Sequence, residues 1–454
     1  MGIGLEATSG ACIGVLGAGE SGLGAAFLAR AKGFEVFLSD RAPIGEAQVA
    51  ELEAMGARWE SGQHTLETLA ACVLVVKSPG VPGDAPVVQA LRKRGVPIVS
   101  EIEFAGRYTR AKKICVTGSN GKTTTVSLLY HMLKKAGRDV VLAGNIGSSF
   151  ARQVAKGEHD YYVLELSSFQ LEDMYDFKAD IAVILNITPD HLDRYGYDMQ
   201  RYVDAKFRIT RNLTESECFI YSSDDAETMG RLAKMELSAQ RLPFSQRTKE
   251  EQGAWSDGES VHFAVQEGEA WEMPIRDFSL RGKHNVNNSM VAGIVGEVLR
   301  LPREVIRASL HDFVGIPHRL ELVGEVEGVR YINDSKATNV DAVWYALESM
   351  KTPVVWIAGG TDKGNDYSAL QGFVREKVHA LVCLGVDNAK LRTAFAGLVD
   401  TFVETRSAEE AVREAHRLAK AGDTVLLSPA CASFDLFKSY EDRGDQFKQW
   451  VKRL

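Results

Sequence analysis

One segment of the sequence has the residue types that phosphate chemistry needs. Residues 117–124 read T-G-S-N-G-K-T-T and stand between an apolar strand-like run and a helix predicted over 126–135. Glycines let successive backbone N–H groups face a polyphosphate, and the helix N-terminus adds its positive dipole end. Lys122 is placed to reach the outer phosphates, and the Thr123 hydroxyl to ligate Mg²⁺. The segment predicts nucleotide binding, although Val116 stands where a P-loop has its first glycine; the alternative is a plain glycine-rich turn.

Two polar residues follow apolar runs further along the chain. Glu165 ends a strand predicted over 161–165, and His191 follows a strand predicted over 181–185. Open α/β sheets bind their ligands at the carboxyl ends of the strands. A carboxylate and an imidazole nitrogen could hold a metal bound to ATP there. The alternatives are an acidic neighbour of a helix N-cap and a surface or capping histidine. Spacing alone does not distinguish Lys206 from a solvated helix lysine.

A second glycine pattern lies near the N-terminus. Gly17, Gly19 and Gly22 follow a strand predicted over 11–16, and Asp40 ends the next strand. This pattern fits a dinucleotide fingerprint, in which the acidic residue holds a ribose. It leaves open an NAD-dependent oxidoreductase, but no hydride-transfer site can be located. We expect a pocket suited to phosphate, with a tight strand–helix turn as the alternative.

The last third of the chain has four polar segments. They are 317–321 (P-H-R-L-E), 333–339 (N-D-S-K-A-T-N), 359–364 (G-G-T-D-K-G) and 428–433 (S-P-A-C-A-S). Most of them follow predicted strands, and they offer ammonium, hydroxyl and amide groups to a carboxylate or phosphate. A generic polar turn explains any one of them, but together they predict one wall of a ligand cleft.

Length and composition indicate what must position these segments. The chain has 454 residues, 45% hydrophobic and 25% charged. This is ordinary globular composition, and at roughly 150 residues per domain it suggests about three domains. Strand-like and helical runs alternate throughout, which is typical of parallel α/β sheets. We predict an α/β fold with a Rossmann-like domain (1–109), a central P-loop ATPase-type domain (110–314) and a second Rossmann-like domain (315–454).

Charge and cysteine content narrow the function classes. A net charge of −8 argues against a protein that coats nucleic acid. The six cysteines form no C-x-x-C pair, and free thiols in a reducing compartment are expected. The sequence has neither an apolar run long enough to span a membrane nor a signal-peptide pattern. We expect a cytoplasmic protein, and a monomer.

Taken together, these motifs resemble those of the Mur ligases over essentially the whole chain. The segments that carry the resemblance are T-G-S-N-G-K-T-T, G-N-I-G (144–147), L-E-L-S-S-F-Q-L-E (164–172), D-H-L-D-R-Y (190–195), G-K-H-N (282–285), P-H-R-L-E, N-D-S-K-A-T-N and S-P-A-C-A-S-F-D (428–435). Two of these, L-S-S-F-Q-L-E and N-D-S-K-A-T-N, are most similar to the member that adds D-glutamate. The related folylpolyglutamate synthases lack the N-terminal glycine-rich domain.

The resemblance implies a reaction and its substrates. ATP would phosphorylate the terminal carboxylate of UDP-N-acetylmuramoyl-L-alanine, and the D-glutamate amine would attack the acyl phosphate. This is a step of peptidoglycan precursor synthesis, with ATP and Mg²⁺ as cofactors. Metal and lysine charges would reduce the repulsion between the two anions.

The resemblance also implies a role for individual residues. The residues implied to bind ATP are Gly118, Ser119, Asn120, Gly121, Lys122, Thr123, Thr124, Asn285, Asn288, Arg319 and Asp334. Thr123, Glu165 and His191 would lie at the metal, with Lys206 present as a carbamate. Lys122, His191 and Lys206 would be catalytic. The UDP-sugar would contact Glu20, Ser21, Asp40, Arg41, Ser78, Pro79, Gly80 and Asn145. D-glutamate would contact Lys336, Thr338, Lys363, Ser433 and Tyr440.

Two other functions stay open at this point. One is the oxidoreductase built on the N-terminal fingerprint. The other is a nucleotide-gated binding protein that uses the glycine-rich loop as a switch.

Overall fold

Three sheets with intervening helices form the protein in the computed structural model, which describes residues 10–266, 270–280, 282–315, 317–362 and 364–454. This confirms the predicted α/β class. The first two sheets lie in one compact unit, up to Asp277 and again Asn287–His311. The third sheet lies in a second unit, Phe278–Val286 and Asp312–Leu454. The predicted boundaries near 110 and 315 fall between sheets and stay predictions.

The first sheet has five parallel strands. They are β1 (Cys12–Leu16), β2 (Glu35–Asp40), β3 (Arg58–Ser61), β4 (Leu74–Lys77) and β5 (Ile98–Ser100). The helices are α1 (Glu20–Ala31), α2 (Glu46–Ala54), α3 (Leu66–Ala70), α4 (Pro86–Lys93) and α5 (Glu101–Gly106). The strand order is β3-β2-β1-β4-β5. The order reverses at β1, so the loops after β1 and β4 flank the crevice where such sheets bind ligands.

The second sheet has nine strands. They are β6 (Lys112–Thr117), β7 (Val140–Gly144), β8 (Tyr161–Glu165), β9 (Ile181–Ile184), β10 (Cys218–Ser222), β11 (Gln240–Ser245), β12 (Gly253–Ser256), β13 (Ser260–Ala264) and β14 (Trp271–Pro274). Their order is β14-β13-β12-β11-β10-β9-β6-β8-β7, with β13 antiparallel to both of its neighbours. Strand β6 lies between β8 and β9, which brings the glycine-rich loop beside Glu165 and the segment before His191.

The helices of this part of the chain complete the layers. They are α6 (Lys122–Lys135), α7 (Phe150–Lys156), α8 (Ser168–Glu172), α9 (Met199–Phe207), α10 (Ala226–Leu232), α11 (Lys283–Val298) and α12 (Arg303–Asp312). The first two sheets share one hydrophobic core, in which Phe104 of α5, Phe150 of α7 and Tyr162 of β8 are fully buried. Shared burial of large apolar side chains explains why the two sheets form one unit.

The third sheet has six strands in its own unit. They are β15 (Glu321–Val326), β16 (Val329–Asn333), β17 (Val354–Ala358), β18 (Val378–Leu384), β19 (Thr401–Thr405) and β20 (Thr424–Leu427). The helices are α13 (Val340–Ser349), α14 (Gln371–Lys377), α15 (Ala389–Phe395), α16 (Ala408–Leu418) and α17 (Tyr440–Val451). The order is β15-β16-β20-β17-β18-β19, and all pairs except β15–β16 are parallel. The polar segments after β16, β17 and β20 therefore emerge at the same edge.

Two expectations about the whole chain can be compared with the structure. All six cysteines are free, as the composition predicted. Within the described ranges, no helix is both long and apolar enough to cross a membrane.

Candidate active site

The glycine-rich loop is held in place by an amide from the neighbouring strand. Asn186, just after β9, accepts the Asn120 backbone N–H through Oδ1 at 2.9 Å. Its Nδ2 donates to the Asn120 carbonyl at 3.2 Å. Gly121 begins α6 at φ 86°, a left-handed conformation that strongly favours glycine. Asn186 was not among the predicted site residues, although its place at a strand end was a usable signal.

Two lysine side chains converge on one carbonyl of this loop. Lys122 Nζ donates to the Gly118 carbonyl at 2.7 Å and to the Ser119 carbonyl at 2.8 Å. Lys206 Nζ, on α9, donates to the same Gly118 carbonyl at 2.8 Å. Lys206 is completely buried, and burial lowers its pKa well below the usual value, with the Lys122 charge acting in the same direction. Lys206 is therefore not the solvated helix lysine that spacing alone suggested.

Several buried polar atoms around this loop have no hydrogen-bond partner in the structure. They are Thr117 Oγ1, Asn120 Nδ2, Thr124 Oγ1, Thr188 Oγ1 and Glu165 Oε2. Buried polar groups are normally paired, so such a cluster indicates a place for a polar ligand, water or ion. Four of them lie at or just beyond the carboxyl ends of β6, β8 and β9, and Thr124 lies in the first turn of α6.

Glu165 and Asn145 form a contact between adjacent strand ends. Asn145 Nδ2 donates to Glu165 Oε1 at 3.0 Å, and the Asn145 backbone N–H donates to the Glu165 carbonyl at 2.8 Å. Gly144 makes this approach possible, because a Cβ there would lie 2.3 Å from the Glu165 carbonyl oxygen. The structure thus joins a residue predicted for the UDP-sugar to one predicted for the metal.

His191 lies in a turn with left-handed backbone after β9. Its φ of 53° is left-handed, and it precedes a short 3₁₀ turn, Leu192–Tyr195. The His191 ring lies edge-on to Phe169 of α8 with centroids 5.4 Å apart. Arg194 of the same turn donates to the Pro79 carbonyl at 3.5 Å, so the loop after β4 reaches this site.

The donor set fits Mg²⁺ only as part of a nucleotide complex. Among the described residues, no three His, Cys, Asp or Glu side chains gather closely enough to form a complete metal cage. Mg²⁺ commonly takes one or two carboxylates plus phosphate oxygens and waters. Glu165 could supply a carboxylate through its unpaired Oε2, and the buried Thr123 at the start of α6 could supply a hydroxyl.

Apart from Asn145, the residues predicted for the UDP-sugar lie at or after the ends of β1, β2 and β4, three neighbouring strands. Asp40 Oδ2 accepts the Ala18 N–H at 2.6 Å and Oδ1 accepts the Ala42 N–H at 2.8 Å, so Asp40 orders the glycine-rich turn. Ser78 donates to the Gly17 carbonyl at 3.4 Å. Glu20 accepts from the Ser149 N–H and the Arg152 guanidinium, which connects α1 to α7. Three others are at least partly exposed: Ser21 in the first turn of α1, Arg41 after β2 and Gly80 after β4.

In the second unit, the loop after β16 meets the start of α17. Lys336 Nζ lies 5.4 Å from the ring centroid of Tyr440, and Ser335 donates to the Tyr440 carbonyl at 2.8 Å. The buried Arg443 donates to the Ser335, Gly359 and Cys431 carbonyls at 2.9–3.3 Å. Arg443 thus connects three of the four predicted polar segments. Sequence reasoning missed it because it lies inside a helix, ten residues after Ser433.

The remaining residues predicted to bind ATP or D-glutamate are Asp334, Arg319, Asn288, Asn285, Thr338, Ser433 and Lys363. Asp334 accepts from the Ser428 hydroxyl at 2.8 Å and the Leu320 N–H at 3.2 Å, and burial raises its pKa to about 7, against the opposing charge of Arg319. Asn288 accepts the Thr125 hydroxyl at 3.1 Å, behind the glycine-rich loop. Asn285, Thr338 and Ser433 lie in the first turn of α11 and in two of the polar loops. Lys363 lies outside the described residues.

Three family models match the chain in order. They are the Mur ligase MurD-like N-terminal domain over 11–100, the Mur ligase middle domain over 116–296 and the Mur ligase glutamate ligase domain over 318–431. With the three α/β sheets and the loop geometry above, these matches define the class of protein. The chain belongs to the Mur ligase family.

Three relatives that match over nearly their whole length are ligases of the same name. UDP-N-acetylmuramoylalanine–D-glutamate ligase of Bacteroides fragilis is 54% identical over 441 residues, covering 97% of this chain and 99% of the relative. The ligases of the same name from Bacteroides thetaiotaomicron and Salinibacter ruber are 54% and 42% identical over 442 and 449 residues, which is 97% of this chain in both cases and 99% and 97% of the relatives.

Solved structures of the family share the fold. UDP-N-acetylmuramate-alanine ligase of Thermotoga maritima has a TM-score of 0.61 at 18% identity, covering 97% of this chain and 98% of its own. MurF ligase of Thermotoga maritima, solved in complex with ADP, has a TM-score of 0.60 at 17% identity, covering 92% and 95%. The chain is a ligase of this family.

Proposed function

We propose that this chain joins D-glutamate to UDP-N-acetylmuramoyl-L-alanine with hydrolysis of ATP, a cytoplasmic step of peptidoglycan precursor synthesis carried out by a monomer. Relatives of that name across nearly the whole chain support the substrate assignment. The observation that carries the chemistry is the meeting of Lys122 and Lys206 on the Gly118 carbonyl, beside the unpaired oxygen of Glu165.

The glycine-rich loop and the start of α6 would bind the ATP phosphates. Their backbone N–H groups and the positive end of the helix favour anions. When phosphate binds, Lys122 can turn from its own loop carbonyls to the outer phosphates. Asn288 supports α6 from behind through Thr125, while Asn285, Arg319 and Asp334 are proposed nearer the adenosine.

Mg²⁺ bound with the nucleotide would neutralise phosphate charge during transfer. Thr123, Glu165 and His191 would hold it, together with phosphate oxygens and waters. Lys206 would take part as a carbamate. Because burial favours its neutral amine, the Nζ lone pair can attack the carbon of CO₂, releasing one proton and leaving a buried anion.

The chemical sequence proposed is phosphorylation and then amide formation. The terminal carboxylate of the UDP-sugar takes the outer phosphoryl group of ATP, and ADP leaves. The D-glutamate amine then attacks the acyl carbon, loses a proton and expels phosphate. The loops after β1, β2 and β4, with Asn145, would orient the UDP-sugar, and the contact between Arg194 and Pro79 supports this. Lys336, Thr338, Lys363, Ser433 and Tyr440 would bind D-glutamate.

Phosphate release tests the proposal. ATP, Mg²⁺ and UDP-N-acetylmuramoyl-L-alanine are supplied with D-glutamate, L-glutamate, L-alanine or a diamino acid in turn. We expect release that needs both the UDP-sugar and D-glutamate. Equal turnover with another amino acid would assign a different member of the family. Turnover that persists without the UDP-sugar would rule out the ligase reaction, as would hydride transfer to NAD in its place.

A further inference from the structure

Two cysteine side chains are in contact at the amino-terminal ends of β1 and β4. The loops proposed to bind the UDP-sugar lie at the opposite ends of these strands. Cys12 begins β1, and Cys72 lies in the turn that precedes β4. Their Sγ atoms are 3.4 Å apart. Strands β1 and β4 are adjacent and parallel, and the Val73 N–H donates to the Cys12 carbonyl at 2.9 Å. The two backbones are therefore held as neighbours by the sheet itself.

Gly14 of β1 has no side chain, and this leaves room for the contact between the two sulfur atoms. A Cβ placed on Gly14 would lie 3.3 Å from Cys72 Sγ. Because residues 12 and 14 share one face of β1, the Cys72 sulfur lies over the face from which the Cys12 side chain projects. A disulfide has an S–S bond of about 2.05 Å. The Cα atoms of the two cysteines that it joins are about as far apart as those of adjacent strands. The sulfur atoms need to approach by only about 1.3 Å.

We propose that Cys12 and Cys72 are a modification site, at which a peroxide closes a reversible disulfide. The Cys12 sulfur attacks one peroxide oxygen, the O–O bond breaks, and one water leaves behind a sulfenic acid. The Cys72 sulfur then attacks the Cys12 sulfur, and the departing hydroxide takes the Cys72 proton and leaves as a second water. Two thiols and one hydrogen peroxide thus give one disulfide and two waters.

The surroundings of the two thiols favour Cys12 as the attacking group. Cys12 is half-buried, whereas Cys72 and the other four cysteines are buried. The hydrogen bond donated by Cys72 lowers the pKa of Cys12, and the Arg58 guanidinium, 3.9 Å from its sulfur, acts in the same direction. Burial raises the pKa of the Cys115, Cys218, Cys383 and Cys431 thiols. A thiolate is the nucleophile in thiol oxidation.

Peptide mapping of the full chain tests this site. The reduced protein is treated with a small excess of hydrogen peroxide, alkylated, and digested without reduction. We expect one cross-linked peptide pair that contains Cys12 and Cys72, formed at least about tenfold faster than any other thiol is lost. Thiol titration after unfolding should fall from six to four and return to six with dithiothreitol.

Variants separate the pair from general oxidation. Cys218→Ala should form the same cross-link, because it leaves both sulfurs in place. Cys72→Ser should give no cross-link and should accumulate a Cys12 sulfenic acid that dimedone traps. Separate alkylation of Cys12 and Cys72 in the treated wild-type protein would overturn the proposal, and so would disulfides only between chains. The wild-type map decides this whether or not the variants fold.

Discussion

Burial lowers the pKa of Lys206, yet its side chain lies where a charged group would be useful. It is completely buried on α9, its Nζ shares the Gly118 carbonyl with Lys122, and the Tyr202 ring centroid lies 4.6 Å from it. An unmodified buried amine beside a second cation would add nothing to phosphate transfer. The proposed carbamate would be an anion that can pair with Lys122 or orient a metal.

Replacing Lys206 by alanine tests that role. We expect Lys206→Ala to lose turnover by about 10²-fold or more, because one orienting group of the phosphate site disappears. Short carboxylates such as formate or acetate, added at high concentration, should restore part of the rate by occupying the space of the carbamate. Steady-state phosphate release measures both effects.

The matched control is Lys234→Ala, an exposed lysine of the same unit. It should keep the wild-type rate and show no response to carboxylates. Full activity of Lys206→Ala without additives would mean that Lys206 has only a structural part.

Helices α5 and α7 are connected by a buried carboxyl group, that of Glu101. Glu101 accepts the Ala151 N–H, and its Oε2 has no partner. Burial raises the pKa of Glu101 to about 8 from its usual 4.5, and the Glu20 charge adds to this. The folded protein therefore keeps this group protonated at neutral pH.

The free energy of unfolding should therefore fall as the pH rises from about 4.5 to about 8. Between about pH 4.5 and 8 the unfolded chain has lost the Glu101 proton and the folded chain retains it, so unfolding releases a proton. The loss of stability is about 1.4 kcal/mol per pKa unit of difference. Glu101→Gln should remove this part of the pH dependence. Chemical denaturation of wild type and variant from pH 5 to 8.5 measures the difference.

The wild type and Glu101→Gln should have similar free energies of unfolding at pH 5, and the variant should be the more stable at pH 8.5. Glu46→Gln, an exposed position on α2, is the control and should follow the wild type throughout. Parallel curves for wild type and Glu101→Gln would show that Glu101 is ionised in the folded protein.

A buried ion pair is a further connection between the first two sheets. Lys77 at the end of β4 lies 3.1 Å from Asp173, and both side chains are 1% exposed. Arg92 of α4 also reaches Asp173 at 2.9 Å, and Lys77 donates to the Val81 carbonyl at 2.9 Å. The pair therefore also fixes the segment after Ser78, which is proposed to contact the UDP-sugar.

Removing one partner of the Lys77–Asp173 pair should lower the free energy of unfolding. Lys77→Met leaves Asp173 buried with only a half-exposed partner, and we expect a loss of about 3 kcal/mol in the free energy of unfolding. The double variant Lys77→Met/Asp173→Asn should recover part of that loss, because no buried charge is left unpaired. Urea denaturation measures both. Arg94→Met, which breaks the exposed pair with Glu67, should leave stability unchanged. A loss for Lys77→Met no larger than that of the control would contradict this reasoning.

The limits of sequence reasoning are clearest at this scale. The strands that carry Glu165, Asp40 and the glycine-rich loop were predicted because apolar runs and strand-end polar residues are local patterns. The pairing of Lys77 with Asp173 joins residues 96 positions apart, and no local pattern encodes it. Asn186 does follow a strand, but its amide is one of many that do, so this local signal alone does not single it out. The resemblance to a family predicts candidate site residues, but only packing determines that Lys206 is buried and that Arg443 connects three loops.

For the whole molecule, net charge is a poor guide to ligand choice. The chain has a net charge of −8, and both proposed nucleotide substrates are polyanions. The Lys122 side chain lies at the glycine-rich loop, and backbone N–H groups at the start of α6 add to the local positive potential. Charge gathered at a site acts over a few ångströms, whereas distant surface charges are screened by salt.

The division into two compact units predicts how the protein unfolds. The first two sheets share one core and the buried Lys77–Asp173 pair, so they should melt together, while the third sheet should melt as a separate cooperative unit. Calorimetry of the ligand-free protein should therefore show two transitions rather than three. Hydrogen exchange with peptide resolution should assign β1 and β6 to the same transition and β17 to the other. Lys77→Met should lower the transition of β1 and β6 and leave that of β17 in place. Separate melting of β1 and β6, or a shift of all three strands in this variant, would show that the cooperative units differ from the compact ones.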